Sequence, residues 1–378
     1  MQCLIKLFLR GMRVAIIEHS GSGDYAEYIF SLIDEKAKQK NYQIKTWSNS
    51  VPAFQQQISE DAIIYIYIES KSSLILSWLY SVKIPSILKK TKAQIVIDLN
   101  GIASDKIKIP QFIAADQFLF NTETDRLTGI EKFALKNLHQ SVQIAKHILV
   151  YSKQKLSDAN IKQHALQLIP FSAPAIFKTY EWHDKIMIKA QHADNKEYFV
   201  AVIEDNAVND FVLLLQAFSK FKKWQQSSMQ LLILAKYELL GEAILEKHKT
   251  YKYRNDVRLI ESVEEKQVAA IIASAYAFIH VAGSVPHLLV LSIALQCSLP
   301  VISFKDDDVS EYAGNAVLYC AEKDAGTLGN ALIQLYKDEN VHAQLKEEAG
   351  KQAAILNRKE YEDRLWNLLE TAAHNSTT

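Results

Sequence analysis

Residues Gln267–Cys320 read QVAAIIASAYAFIHVAGSVPHLLVLSIALQCSLPVISFKDDDVSEYAGNAVLYC, and the order of patterns within them decides the fold. Gln267 to Ser274 is amphipathic at helical spacing, Ala277 to Val281 is a short apolar strand, and Ser284 can cap a helix whose second position is Pro286. The positive end of such a helix points at the turn before it. Leu299, Pro300, Val301 and Ile302 then make a fully apolar strand, followed by Asp306 to Glu311. This is one βαβ unit of a parallel sheet, and such sheets take ligands at the carboxyl ends of their strands.

The same alternation extends upstream. Val14 to Glu18, Gln43 to Trp47, Ala62 to Ile68, Ile95 to Leu99, Ile148 to Tyr151 and Leu166 to Ile169 read as strands with helices between them. The passage from Pro170 to about Trp182 breaks the pattern, which restarts at Tyr198 to Ile203 and continues through Phe211–Trp224, Leu231–Ala235, a helix through Ile244 and Val257–Ile260. Helices are expected at Thr327–Tyr336, Val341–Leu356 and Tyr361–Ala372. The expected fold class is α/β, with two Rossmann-like, doubly wound parallel-sheet domains facing each other across a crevice. Residues 12–172 form the first domain, 182–357 the second, and 358–378 a helix that packs back toward the first.

Length and composition agree with this division. The chain has 378 residues, more than one hydrophobic core normally organises, and 49% of them are apolar. Lys plus Arg and Asp plus Glu are 43 each, which removes the electrostatic argument for a nucleic-acid partner. Cys3, Cys297 and Cys320 have neither disulfide nor zinc spacing and suit a reducing compartment, so a cytoplasmic location is expected. Met1 to Arg10 lacks a small-residue cleavage site and is not read as a signal peptide. Leu74, Ile75, Trp78, Leu79 and Tyr80, followed by Lys83, Lys89, Lys90 and Lys92, read first as a core helix with a solvated lysine end. A peripheral contact with the inner membrane face is the alternative.

Several further residues suggest binding or chemistry. Gly21 and Gly23 follow the first strand, where glycine lets a backbone approach a ligand and where any tight βα turn also favours it. Asp98 opens the turn Asp98-Leu99-Asn100-Gly101, either as an Asx turn or as a group at the ligand edge. Asp306, Asp307 and Asp308 form a solvated turn, with Asp308 capping the next helix, or else a weak metal candidate. His280, inside an apolar strand, reads as a satisfied core histidine.

Taken together, the order of parts resembles the GT-B glycosyltransferases, and glycosyltransferase family four in particular. The resemblance rests on Tyr198-Phe199-Val200-Ala201-Val202, Leu213 to Phe218, Asp256 to Leu259, Ala275 to Phe278, Ser298-Leu299-Pro300-Val301-Ile302, Glu311 to Ala316, and Ser152-Lys153 after a strand. It implies transfer of a sugar, with retention, from a nucleotide-sugar donor to a glycan or lipid-linked acceptor, and no further cofactor. It also implies that Gly21, Gly23, Ser284, Val285, His287 and Glu311 line the donor crevice, and that Asp98 and His287 are the candidate catalytic groups.

The sequence departs from the family at the donor. Two family glutamates that bind the sugar and ribose hydroxyls align with Val285 and Ile293, neither of which accepts a hydrogen bond through its side chain. The family's Arg and Lys, which neutralise the diphosphate, align within Glu204-Asp205-Asn206-Ala207-Val208-Asn209-Asp210. Each lost charge-assisted bond is worth roughly 1.5–3 kcal/mol, so losing two lowers affinity by more than about a hundredfold. What remains favourable is the helix amino end after Ser284, worth up to about 2 kcal/mol. Two functions are consistent with this: a glycosyltransferase with a divergent donor site, or a non-catalytic relative that binds a partner glycosyltransferase or a glycan.

Overall fold

The computed structural model describes residues 12–20, 23–48, 59, 61–70, 72–114, 129–152, 165–204, 207–235, 240–261, 264–281 and 286–375, with the side chains of 286 and 287 left out. The chain divides into two compact units, one of residues 1–170 with 359–378 and one of residues 171–358.

In the first unit, strands β1 (Arg13–His19), β2 (Gln43–Ser48), β3 (Ala62–Ile68), β4 (Ile95–Asp98), β5 (Gln111–Ala114), β6 (His147–Val150) and β7 (Leu166–Leu168) pair in parallel in the order β2-β3-β1-β4-β5-β6-β7. The order reverses between β1 and β4. Helix α1 (Asp24–Gln39) follows β1 and buries Tyr25, Ala26, Tyr28, Ile29, Leu32 and Ile33. A long helical stretch follows β3, composed of α2 (Ser73–Trp78), a π-helical turn (Leu79–Lys83) and α3 (Ile84–Thr91). Helix α4 (Gly129–Ile144) precedes β6.

The second unit contains α5 (Trp182–Ala193), β8 (Tyr198–Ile203), α6 (Val208–Gln225), β9 (Gln230–Ala235), α7 (Glu242–Lys249), β10 (Val257–Ile260), α8 (Glu265–Ala273), β11 (Ala277–His280), α9 (Pro286–Gln296), β12 (Val301–Phe304), α10 (Asp307–Ala313), β13 (Val317–Cys320), α11 (Ala325–Lys337) and α12 (Glu339–Ile355). Its strands pair in parallel in the order β10-β9-β8-β11-β12-β13, which reverses between β8 and β11. Phe199, Ala201, Phe211, Phe218, Phe221, Ile233 and Leu332 are fully buried in the core between sheet and helices. Gly329 of α11 permits close contact with α6, since a Cβ there would lie 3.1 Å from the Ala217 carbonyl oxygen.

Helix α13 (Arg358–Asn375) starts at the end of the second unit and runs through the first. Its Trp366 meets Tyr42 edge to face at 5.0 Å, Lys36 pairs with Asp363, and Lys40 pairs with Glu370 at 2.6 Å. Cys297 and Cys320 are buried free thiols, and burial pushes Cys297 up to about 12. No helix among the described residues is long and apolar enough to cross a membrane.

Four parts of the chain differ from the sequence reading. β5 and β13 are strands beyond those that the sequence alternation marks, and β5 begins with the polar Gln111. α5 is almost wholly solvent-facing, with only Ala193 buried, so it carries no broad apolar stripe. The segment from Leu74 to Tyr80 is neither simply core nor simply surface. Leu76, Leu79 and Tyr80 are buried, whereas Leu74, Ile75 and Trp78 face solvent.

Candidate functional site

The carboxyl ends of β8 and β11 are the point where the second sheet's order reverses, the position at which open α/β sheets bind ligands. Glu204 follows β8, and α9 begins at Pro286, six residues after the end of β11. Ser284 and Val285 lie outside the described residues, as do Asp205, Asn206 and Gly21. His287 is the second residue of α9. Ile293, one turn and a half further on, is buried.

His280 ends β11 and pairs in register with Ser303 of β12. Its Nδ1 lies 2.9 Å from Ser303 Oγ, which makes it the satisfied core histidine that its apolar surroundings implied. Beyond β12 comes the acidic turn. Asp306, rather than Asp308, is the helix cap: its Oδ1 accepts from the backbone N–H of Asp308 at 2.9 Å and of Val309 at 3.3 Å. The reason is register, because a cap must precede the first helical residue, and α10 starts at Asp307. Asp307 is exposed and Asp308 is buried. Among the described residues no three His, Cys, Asp or Glu side chains are grouped to hold a metal ion. Glu311 is the fifth residue of α10, beyond the first turn, so attraction to the helix amino end does not account for it.

Two cations missed in the sequence stand at this edge. Lys305 is exposed immediately after β12, and Lys323, in the turn after β13, lies 3.3 Å from Asp210 in the first turn of α6. Only the sheet order could have located them, because neither is near the family's cationic pair in sequence.

In the first domain, Gly23 is the residue before α1, with an extended backbone (φ −76°) that any residue adopts. Its conformation therefore sets no demand for glycine. The ends of β1 and β4 hold a closed polar cluster. Asp98 Oδ1 accepts from Asn100 N–H at 2.9 Å and Ile102 N–H at 3.0 Å, and Gly101 completes the turn at φ +77°. Tyr80, on the π turn, donates its hydroxyl proton to Asp98 Oδ2, and the same hydroxyl lies 2.9 Å from His19 Nε2. Asn100 Oδ1 accepts from His19 N–H at 3.2 Å. Asp98 is 2% exposed. Burial pushes its carboxyl up to about 7 and the His19 imidazole down to about 3, and holds the Tyr80 phenol well above its ordinary range. So placed, Asp98 braces the β4 turn.

Residues 183–352 match the family model described as glycosyl transferases group 1. The chain has the GT-B glycosyltransferase fold. Sucrose-phosphate synthase from Thermosynechococcus elongatus superposes with a TM-score of 0.72 at 14% identity, covering 95% of this chain and 98% of that one. WaaG, a glycosyltransferase involved in lipopolysaccharide biosynthesis, gives 0.69 at 12% identity over 94% and 99%. HepE of Anabaena in complex with UDP-glucose gives 0.67 at 14% identity over 95% and 100%. No curated protein sequence matches the chain. Within the GT-B fold, the group 1 match falls on the domain whose strand order reverses between β8 and β11.

Proposed function

We propose that the protein transfers a sugar from a nucleotide-sugar donor to a glycan or lipid-linked acceptor, with retention, through a donor site that diverges from its family. The observation that carries this reading is the start of α9 just beyond β11, beside β8, at the order reversal of a domain matching glycosyl transferases group 1. Backbone amides there hold the diphosphate, His287 and Glu311 meet the donor, Lys305 replaces part of the missing positive charge, and Lys323 offsets the carboxylate of Asp210. Asp98 holds the turn at the end of β4 and does not itself meet the sugar. Solved GT-B relatives complexed with UDP and UDP-glucose make uridine diphosphate sugars the first donors to test. The proposed location is the cytoplasm, at the inner face of the membrane.

A second reading, a non-catalytic scaffold for a partner glycosyltransferase or a glycan, is favoured by Glu204 after β8 and by the aliphatic Ile293. Titration of UDP, GDP and their sugars by calorimetry, paired with an assay for released nucleoside diphosphate, separates the two. The divergent enzyme is expected to bind a donor with Kd near or above about 1 mM and to turn it over slowly. Binding with no turnover on any sugar would support the scaffold, and submicromolar binding would refute the divergence.

A further inference from the structure

Between Glu69 and Asp98 the chain carries five lysines and no carboxylate, in a protein whose formal net charge is zero. This stretch contains the helical run Ser73–Thr91, whose inner side buries Leu76, Leu79, Tyr80, Ile84, Ile87 and Leu88. Its outer side is also apolar. Leu74 is 84% exposed, Ile75 48%, Trp78 52% and Val82 55%. Leu74, Trp78 and Val82 lie at four-residue steps, so they form one ridge, and the same steps continue to Ser86 and Lys90. Lys89, Lys90 and Lys92 are exposed at the far end, and Lys83 sits with its ammonium 5.8 Å from the Trp47 ring.

A ridge of this kind needs an explanation, because the inner face already anchors the helix. Four large side chains gain nothing from water, and a tryptophan among small serines (Ser72, Ser73, Ser77, Ser81) suits the boundary between water and acyl chains. The lysines select the sign of the partner's charge. We infer that the outer face of Ser73–Thr91 docks on an anionic lipid bilayer, with Leu74, Ile75, Trp78 and Val82 entering the interface and Lys89, Lys90 and Lys92 meeting the headgroups. This surface deepens the peripheral location proposed above. It is independent of the donor chemistry, since docking needs no nucleotide.

The test is co-sedimentation of the full chain with vesicles of phosphatidylcholine, alone or mixed with phosphatidylglycerol, without nucleotide. The wild-type protein should bind the anionic vesicles at about 0.05 M salt, release at about 0.5 M, and ignore the neutral ones. Lys89→Gln/Lys90→Gln should weaken binding about 25-fold, at about fivefold for each lysine near an anionic surface. Leu74→Ser/Trp78→Ser, at solvent-facing positions that leave the fold intact, should abolish it, whereas Trp182→Ser, an exposed tryptophan on α5, should not change it. No wild-type binding at low salt, or undiminished binding by Leu74→Ser/Trp78→Ser, would overturn the inference. So would sedimentation showing that the same double substitution dissolves a dimer, which would assign the ridge to a second copy of the chain. Failure of any of these leaves the donor titration untouched, and failure of that titration leaves the vesicle result standing.

Discussion

Burial moves Asp98 and His19 in opposite directions, and Tyr80 lies between them. Asp98 keeps its proton in the folded protein up to about 7, against 3.8 ordinarily, so its contribution is full at low pH and is lost as pH rises through that window. His19 stays neutral down to about 3, against 6.5, so its contribution is full above that range and is lost as pH falls through it. Between roughly pH 4 and 6.5 the two slopes offset each other. Asp98→Asn should expose the histidine slope alone, and urea denaturation over a pH series should then show stability rising with pH by up to about 1.4 kcal/mol per unit. An unchanged, flat series would contradict the assignment. Tyr80→Phe, which removes the proton donor facing Asp98 Oδ2, should cost about 1–3 kcal/mol in the same measurement. The Asx turn was legible in Asp98-Leu99-Asn100-Gly101, because short polar side chains before a glycine have few other uses. Tyr80 was not, because a π turn leaves no mark in residue spacing and its partners are 61 and 18 positions away.

At the level of elements, the alternation of apolar strand and amphipathic helix was readable because it depends on periodicity that local sequence carries. Its ends were less so. Asp306 and Asp308 are chemically identical, and only the true start of α10 tells which of them caps it. Asp306→Ala should lower stability by about 1 kcal/mol in thermal denaturation, whereas Asp307→Ala should be nearly neutral. Close packing between elements was equally hidden. Gly329→Ala would place its methyl 2.9 Å from Lys220 Cδ and 3.1 Å from the Ala217 carbonyl, which forces α6 and α11 apart. A loss of about 1–3 kcal/mol by calorimetry is expected, while Gly326→Ala meets chiefly the cap carboxylate of Asp324. The proposed donor edge was half visible. The β11–α9 unit could be read directly, but Lys305 and Lys323 reach the same edge only through the strand order β11-β12-β13.

For the molecule as a whole, the first domain is discontinuous in sequence: its sheet and α1 come from residues before 171, and α13 arrives after residue 358. Trp366, 1% exposed, is the largest side chain that α13 buries. Trp366→Ala should destabilise the first domain by about 3–5 kcal/mol, read as hydrogen exchange accelerated in α1 and β2 and unchanged in β8 and β11. This arrangement also sets a timetable for biosynthesis. Translation runs at about 5–20 residues per second, so roughly ten to forty seconds separate emergence of the first sheet from emergence of its closing helix. Throughout that interval Tyr42 and the neighbouring slopes of α1 have no cover, which makes the nascent chain a natural client for chaperones that shield greasy surface at the ribosome exit.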